Sequence, residues 1–441
     1  MFKLSRLSIV SAVLLLALVF VGCQAPAAQQ QPAKEAAPAK QEQAKEASGA
    51  KQNSAPAAKQ ESAAAAKTGS GKKEIVIGYS AELTGKFNVE ANDMNRGYQL
   101  WAEEVNNNGG ILVKDLGKKL PVRLLVYDDN SDTNNAIKNY EKLITGDKVD
   151  LVFSTWGSAP NFAITPTTEK YKYPVIASSG AADNIFTRGF KYVFQTAPLT
   201  SHLLNVLVDY LSSNKEIKTA AIAYENFLFT QSLHDSIKPK LEAAGIKVVV
   251  DEQYPLGNQD FKAILAKVSS AKPDAFILLN IMPTSVYATK QLAESGYAPK
   301  VYFTNIGPMF LDEFVKPLGK AAENTLEAGH WDENLPFKGA KEFAQDFDKK
   351  YSRHWSTDAA YAYIAGQILQ QAIEKAGTLD REKINQVLHS EKFDTILGPY
   401  KYDQNGVSNN TVTFLAQTQD GARKIVWPKD IANATLRYPF K

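Results

Sequence analysis

The chain has 441 residues, a formal net charge of only +3, one cysteine and five histidines. A balance so close to neutral, with no basic stripe interleaved with aromatics, argues against a nucleic-acid partner. One cysteine excludes an intrachain disulfide, and His202, His234, His330, His354 and His389 are scattered without metal-ligand spacing.

In chain order, Lys3 and Arg6 precede a run from Ile9 to Gly22 that is apolar apart from Ser11. This reads as a secretory signal peptide, shorter than the roughly 20 apolar residues a spanning helix needs. Cys23 follows Gly22 directly, and the layout resembles the lipobox of bacterial lipoproteins, in which the cysteine is acylated and begins the mature chain. Phe20 departs from that pattern, which usually has Leu there. The resemblance implies a signal peptide over 1–22 and lipidation at Cys23. Residues 23–72 are then a lipid-anchored linker of Ala, Gln, Lys and Pro. With no aromatic from Gln24 to Lys72 and no aliphatic larger than Ala, the segment cannot bury enough apolar surface to offset ordering. "TGSGKK" (68–73) is not a phosphate loop, because no Ser or Thr follows the lysine and no strand precedes it.

From residue 73 onward, strands and helices alternate. "EIVIGYS" (74–80) predicts a strand, and a helix follows over Asn95 to Asn107. "PVRLLVYDD", "VDLVFS" and "YPVIAS" continue the strands, with helices around 134–144 and 162–171. After Pro198 the pattern resumes with "KTAAIAYE", "IKVVVDEQ" and "DAFILLN", interleaved with helices over 202–212, 232–244, 261–270 and 285–295. Such continuous Val, Ile and Leu runs belong to parallel strands covered on both faces. The fold class is α/β, with two doubly wound lobes. After Leu326 come a long helix in "STDAAYAYIAGQILQQAIEKAG", a helix capped by Asp380, and β segments at "GPYKYDQNGV", "TVTFLAQ" and "RKIVWP". Asp128 and Asp129, at a strand end, read as caps of the next turn and helix rather than as a catalytic dyad.

The stretches "IGYSAELTG", "NRGYQLWAEEVNNNGGI", "VYDDNSDTNNA" and "GPYKYDQNG" occur in the order and over the length of a known family. In them the chain resembles the type I periplasmic solute-binding proteins of ABC transporters, in the branched-chain (Leu/Ile/Val) amino-acid-binding group. The resemblance implies a Venus flytrap whose lobes are joined by a three-segment hinge. Lobe 1 is expected over 73–197 and 329–403, and lobe 2 over 198–328 and 404–441. The crossings are expected near Ala197 to Thr200, Thr325 to Gly329 and Tyr402 to Gly406.

Ligands of open α/β sheets sit beyond the carboxyl ends of the strands, where amides and helix N-termini can meet an anion. "STWGSAP" and "IASSGAADN" lie at such ends. The resemblance implies that Ser158, Ser178, Ser179 and the Ala181 amide hold a solute carboxylate, with charge-assisted bonds of about 1.5–3 kcal/mol each. Capping of the helices that follow is the alternative for Ser158 and Ser179. From the second lobe an aromatic residue is expected, at Phe229 or alternatively Phe227. Tyr79 and Trp156 are candidate walls, although Trp156 also suits packing at the lobe surface. Amino-acid binders of this group pair the ligand's ammonium with an acid where Ile306 stands here. Glu82 or Glu90 would have to replace that acid, or the ligand has no amine; Asn280 and Asn305 could bond an uncharged polar group.

No Gly-x-Ser-x-Gly elbow, His-Glu-x-x-His helix or Cys/His cluster is present, so the chain is read as no enzyme and no cofactor is expected. The function expected is that of a monomeric extracytoplasmic lipoprotein, anchored to a bacterial membrane through Cys23. It would capture a small amino acid or a related carboxylate or amide and deliver it to an ABC permease with its ATPases. The alternative is the ligand-binding component of a membrane sensor.

Overall fold

β1 (Ile75–Ala81) lies between β4 and β5 in the first sheet of a computed structural model, which describes residues 71–440 apart from 409 and 411. Cys23, the expected signal peptide and nearly all of the expected linker lie outside the described residues. After β1 come α1 (Asn88–Asn107), a hairpin of β2 (Ile111–Val113) and β3 (Lys118–Leu120), then β4 (Val122–Asp128) and α2 (Thr133–Glu141). β5 (Leu151–Val152), α3 (Ser158–Lys170), β6 (Val175–Ala177) and β7 (Val193–Gln195) complete this part. β1 pairs in parallel with β4, from Ile75 opposite Val122 to Ala81 opposite Asp128, and with β5; β6 and β7 form a second parallel pair. α1 begins at Asn88, about two turns before the predicted start, because Glu90 and Asp93 are buried and hide the helical face in the sequence.

The chain then builds the second lobe. Its elements are α4 (Thr200–Leu203), α5 (Asn205–Ser213), β8 (Thr219–Glu225), α6 (Leu228–Ala243), β9 (Lys247–Tyr254) and α7 (Lys262–Ala271). β10 (Ala275–Leu279), α8 (Thr284–Glu294), β11 (Val301–Thr304), α9 (Lys316–Leu318) and β12 (Leu326–Gly329) follow. All five residues of β10 are buried. Ile277 and Leu279 join Ile222 and Phe303 in one apolar cluster, while Phe276 and Leu278 join Ala221 and Tyr302 in another. Alternate residues thus feed two cores, which is why this strand reads as an unbroken apolar run.

A return to the first lobe supplies α10 (Ala340–Tyr351), α11 (Thr357–Ala376), α12 (Arg381–Ser390) and the hairpin of β13 (Lys392–Thr395) and β14 (Gly398–Lys401). Asp380 caps α12 by accepting from the Lys383 amide at 3.0 Å. β15 (Phe414–Gln419) and β16 (Ala422–Trp427) end in the second lobe, whose sheet order is β16-β15-β12-β11-β10-β8-β9. β15 runs antiparallel to β12 and pairs Phe414 with Gly329.

Two chain passages fall later than the resemblance implied. Gly329 is still held in the second-lobe sheet, so the second passage runs from His330. Asp403 to Ser408 still belongs to the first lobe, because the Gln195 amide donates to Gly406 O at 2.8 Å and the Ser408 amide to Gln195 Oε1 at 2.9 Å. The third passage therefore follows Ser408 rather than lying between Tyr402 and Gly406.

The two lobes touch. The Met282 amide, beyond β10, donates to Glu90 Oε1 of α1 at 2.9 Å, and the first lobe's core continues onto Ile281, Met282, Ile306 and Met309.

Candidate functional site

Two turns of the first lobe, after β5 and after β6, fold against each other at the carboxyl ends of their strands. The Gly157 amide donates to Ser179 Oγ at 2.6 Å, and Ser158 Oγ accepts from the Ala181 and Ala182 amides at 3.2 and 3.1 Å. The Ser178 amide donates to Ser154 Oγ at 2.9 Å, and Ser178 Oγ shares a 2.6 Å bond with Tyr98 Oη. The hydroxyls therefore tie loop to loop rather than capping their own helices. Gly157 has φ +80°, a backbone that glycine adopts without a Cβ clash, and no side chain caps α3 after it. The first amides of that 13-residue helix are left for water or an anion.

These turns form one side of a cavity of about 60 Å³ between the lobes, several times the roughly 10–15 Å³ that one water needs. Trp156, Ser158, Ser178, Ser179, Ala181, Phe229 and Asn305 all line it. Phe227 lines it as well, so both candidate phenylalanines are present. Phe227 also reaches across the cleft: its ring is stacked at 6.4 Å and 12° on Trp156 and lies 5.3 Å from Phe87. Ile306 and Met309 extend the apolar wall from the second lobe.

Four of the candidate contacts stand elsewhere. Tyr79 is fully buried, donates to Asn95 Oδ1 at 2.5 Å and packs on Tyr98 and Phe153, so it is core. Glu82 faces away from the cavity, accepting from Thr155 Oγ1 at 3.0 Å and the Trp156 amide at 3.4 Å. It holds the Trp156 turn, and burial together with the charge of Asp129 pushes its carboxyl well above the usual range. Asn280 is buried behind β11, donating to Ile306 O at 2.8 Å and accepting from Thr304 Oγ1 at 2.5 Å. Asn305 does line the cavity, but its amide is committed to Asn280, accepting from the Asn280 N–H at 2.6 Å and donating to Asn280 O at 3.1 Å. Glu90 is likewise absent from the cavity wall. Its Oε1 accepts the Met282 amide, and burial raises its carboxyl well above the usual range.

The cavity contains groups that the sequence did not reveal. Thr357 and Asp358, in the first turn of α11, line it together with Tyr361 and His330. His330 Nδ1 bonds Tyr361 Oη at 2.9 Å, and burial, with the Arg423 charge, lowers its pKa to about 3, so the ring is neutral. Burial raises Asp358 to about 7; a hydrogen bond from the Trp156 side chain opposes that, and the Asp93 charge adds to it. In sequence, Asp358 looks like an ordinary acid favouring a helix N-terminus. Only the folding of α11 against the cleft brings it to the cavity wall.

A periplasmic binding protein family model matches residues 74–423, the greater part of the chain, and the chain belongs to that family. A Leu/Ile/Val-binding protein homolog 7 of Brucella suis is 25% identical over 391 residues, covering 83% of this chain and 94% of that protein. Among solved structures, the branched-chain amino acid transporter substrate-binding protein of Streptococcus pneumoniae in complex with isoleucine superposes with a TM-score of 0.72. It is 23% identical and covers 81% of this chain and 100% of its own. A solute-binding protein of an ABC transporter from R. palustris, in complex with benzoate, gives a TM-score of 0.71 at 20% identity, covering 80% of this chain and 95% of its own. The fold is thus a type I periplasmic binding protein fold.

Proposed function

We propose that the chain is an extracytoplasmic solute receptor that binds a small amino acid or related carboxylate between its lobes and presents it to an ABC importer. The observation that carries this reading is the interlobe cavity, where an uncapped helix start and the Ser158 and Ser179 turns meet an aromatic and aliphatic wall. Amides and hydroxyls suit a carboxylate, and Trp156, Phe227, Phe229 and Ile306 suit an apolar body. The action is binding without chemistry: the open form samples closure, the solute bridges both lobes, and the closed form docks on a permease. Names of relatives that bind leucine-type amino acids support the solute class, and the benzoate-bound neighbour widens it to aromatic acids. Membrane attachment through Cys23 rests on the apolar run and Gly22 ahead of it.

The test is a thermal-shift screen of the full-length protein with apolar amino acids beside their deaminated acids and amides. A ligand at 100 times its Kd stabilises by about 2.7 kcal/mol, which is readily seen as a rise in Tm. Ser179→Ala and Phe229→Ala should retain the fold and weaken binding of whichever solute is found. A panel without a single stabilising member would remove the reading. A block of lipoprotein signal processing should accumulate unprocessed precursor, and normal maturation under that block would remove the anchor at Cys23.

A further inference from the structure

At the start of α11 a hydroxyl without a partner stands beside a carboxyl that has a single side-chain donor. Thr357 is only 2% exposed, lines the cavity, and its Oγ1 meets no hydrogen-bond partner. A buried hydroxyl left unpaired is costly and calls for a ligand atom or a water. Among the described residues, Asp358 beside it is the one acid on the cavity wall, and its donor is the Trp156 side chain. A carboxylate offers about four acceptor positions, so a single indole N–H leaves most of them open. Among the described residues no Lys or Arg lines the cavity, and the histidine there, His330, is neutral. Of the acids near it, Asp93 is paired with Arg96 and Arg353, and Glu90, which does not line the cavity, accepts the Met282 amide through Oε1 while its Oε2 has no partner. Asp358 therefore faces the ligand space without a cation from the protein.

We propose that Asp358, with the Thr357 hydroxyl beside it, receives the ammonium group of a zwitterionic α-amino acid with an apolar side chain. The inference rests on the solute-binding reading above and specifies its ligand. An ammonium brings three N–H donors and one positive charge to a carboxyl that has one donor and to a hydroxyl that has no partner. The ligand's carboxylate then falls to the amides at the start of α3. A solute with a carboxylate and no amine would instead place a second negative charge in a cavity that already contains an acid, which low local dielectric penalises.

The experiment is titration calorimetry of the full-length protein in mild detergent at pH 7.5. The ligands are leucine, isoleucine, valine, phenylalanine, tyrosine and tryptophan, each beside its deaminated acid. Wild type should bind at least one amino acid more than about tenfold tighter than the matching acid, the worth of one charge-assisted contact. Asp358→Asn should lose at least that factor for the amino acid and none for the deaminated acid, with Thr357→Val showing a smaller loss of the same sense. An Asp358→Asn protein that binds the amino acid as wild type does would overturn the assignment. So would a wild type that binds only deaminated acids, a result that leaves the solute-binding reading intact; no binding by any member sinks both. If Asp358→Asn fails to fold, the wild type decides by pH: its amino-acid affinity should fall from pH 8 to pH 5 while deaminated-acid affinity does not, and parallel profiles would overturn the assignment.

Discussion

Ser158 and Asp358 illustrate how single residues divide the work of this cleft. The Ser158 hydroxyl accepts from two amides of the facing turn, so its removal leaves both N–H groups without an acceptor. Ser158→Ala should lower stability by about 1–3 kcal/mol and weaken solute binding together, which urea melts and calorimetry on the same preparation would register. Asp358 acts in the opposite sense on stability. Its folded pKa of about 7 is raised above the unfolded value of about 3.9. The stability tied to this group is therefore fully present below about pH 4 and is lost as pH rises through 7. Around it stand the Trp156 indole, Asp93, Glu90 and Tyr361, with neutral His330 on the same wall. Asp358→Asn should thus raise the Tm of the empty protein at pH 8 relative to wild type and leave it unchanged near pH 4. In wild type, affinity for an amino acid should fall toward tenfold per pH unit below 7, because protonation removes the charge its ammonium meets.

α11 places Thr357 and Asp358, and its seat is set by contact with α1. A Cβ added at Gly366 would lie 2.3 Å from the Trp101 ring, and one at Gly97 would lie 2.1 Å from Ala359 O. The two helices are close enough that only glycine fits at these positions. Gly366→Ala should cost at least the 1–3 kcal/mol typical of overpacking, seen as a lower Tm. Because α11 must shift to relieve the clash, solute affinity should fall as well. A variant that lost stability alone would show that the helix start is positioned independently of this contact. Glu82 does comparable work for the Trp156 turn, to which its carboxyl is bonded from behind.

Across the whole molecule, a buried ionic cluster ties the second lobe to the chain where it leaves for the first. Arg423 of β16 bonds Glu327 of β12 through Nε and Asp332, just past that passage, through Nη1 at 2.5 Å. Arg423 is among the buried residues, as are both acids. Arg423→Leu should destabilise by about 3–5 kcal/mol, because two carboxylates would stay buried without their counter-charge. Denaturant unfolding would show this as a lower midpoint, and an unchanged midpoint would mean that the acids are protonated without consequence.

Much of the architecture could be read from residue order. Continuous apolar runs such as "DAFILLN" announced covered parallel strands, and the Asp380 cap was legible because it bonds an amide three residues away. The serines and aromatics of "STWGSAP", "IASSGAADN" and "AYENFLFTQS" were recognisable because strand ends of an α/β sheet converge on one place. What could not be read was the direction of each side chain at the cleft. Glu82 and Asp358 are both short-range unremarkable acids in sequence, yet packing turns Glu82 behind the Trp156 turn and Asp358 into the cavity. Local pattern specifies elements because their hydrogen bonds and periodicity span a few residues. The site is decided by contacts between Trp156, Phe227, Ile306 and Asp358, far apart in the chain, and these exist only once both lobes have folded and met.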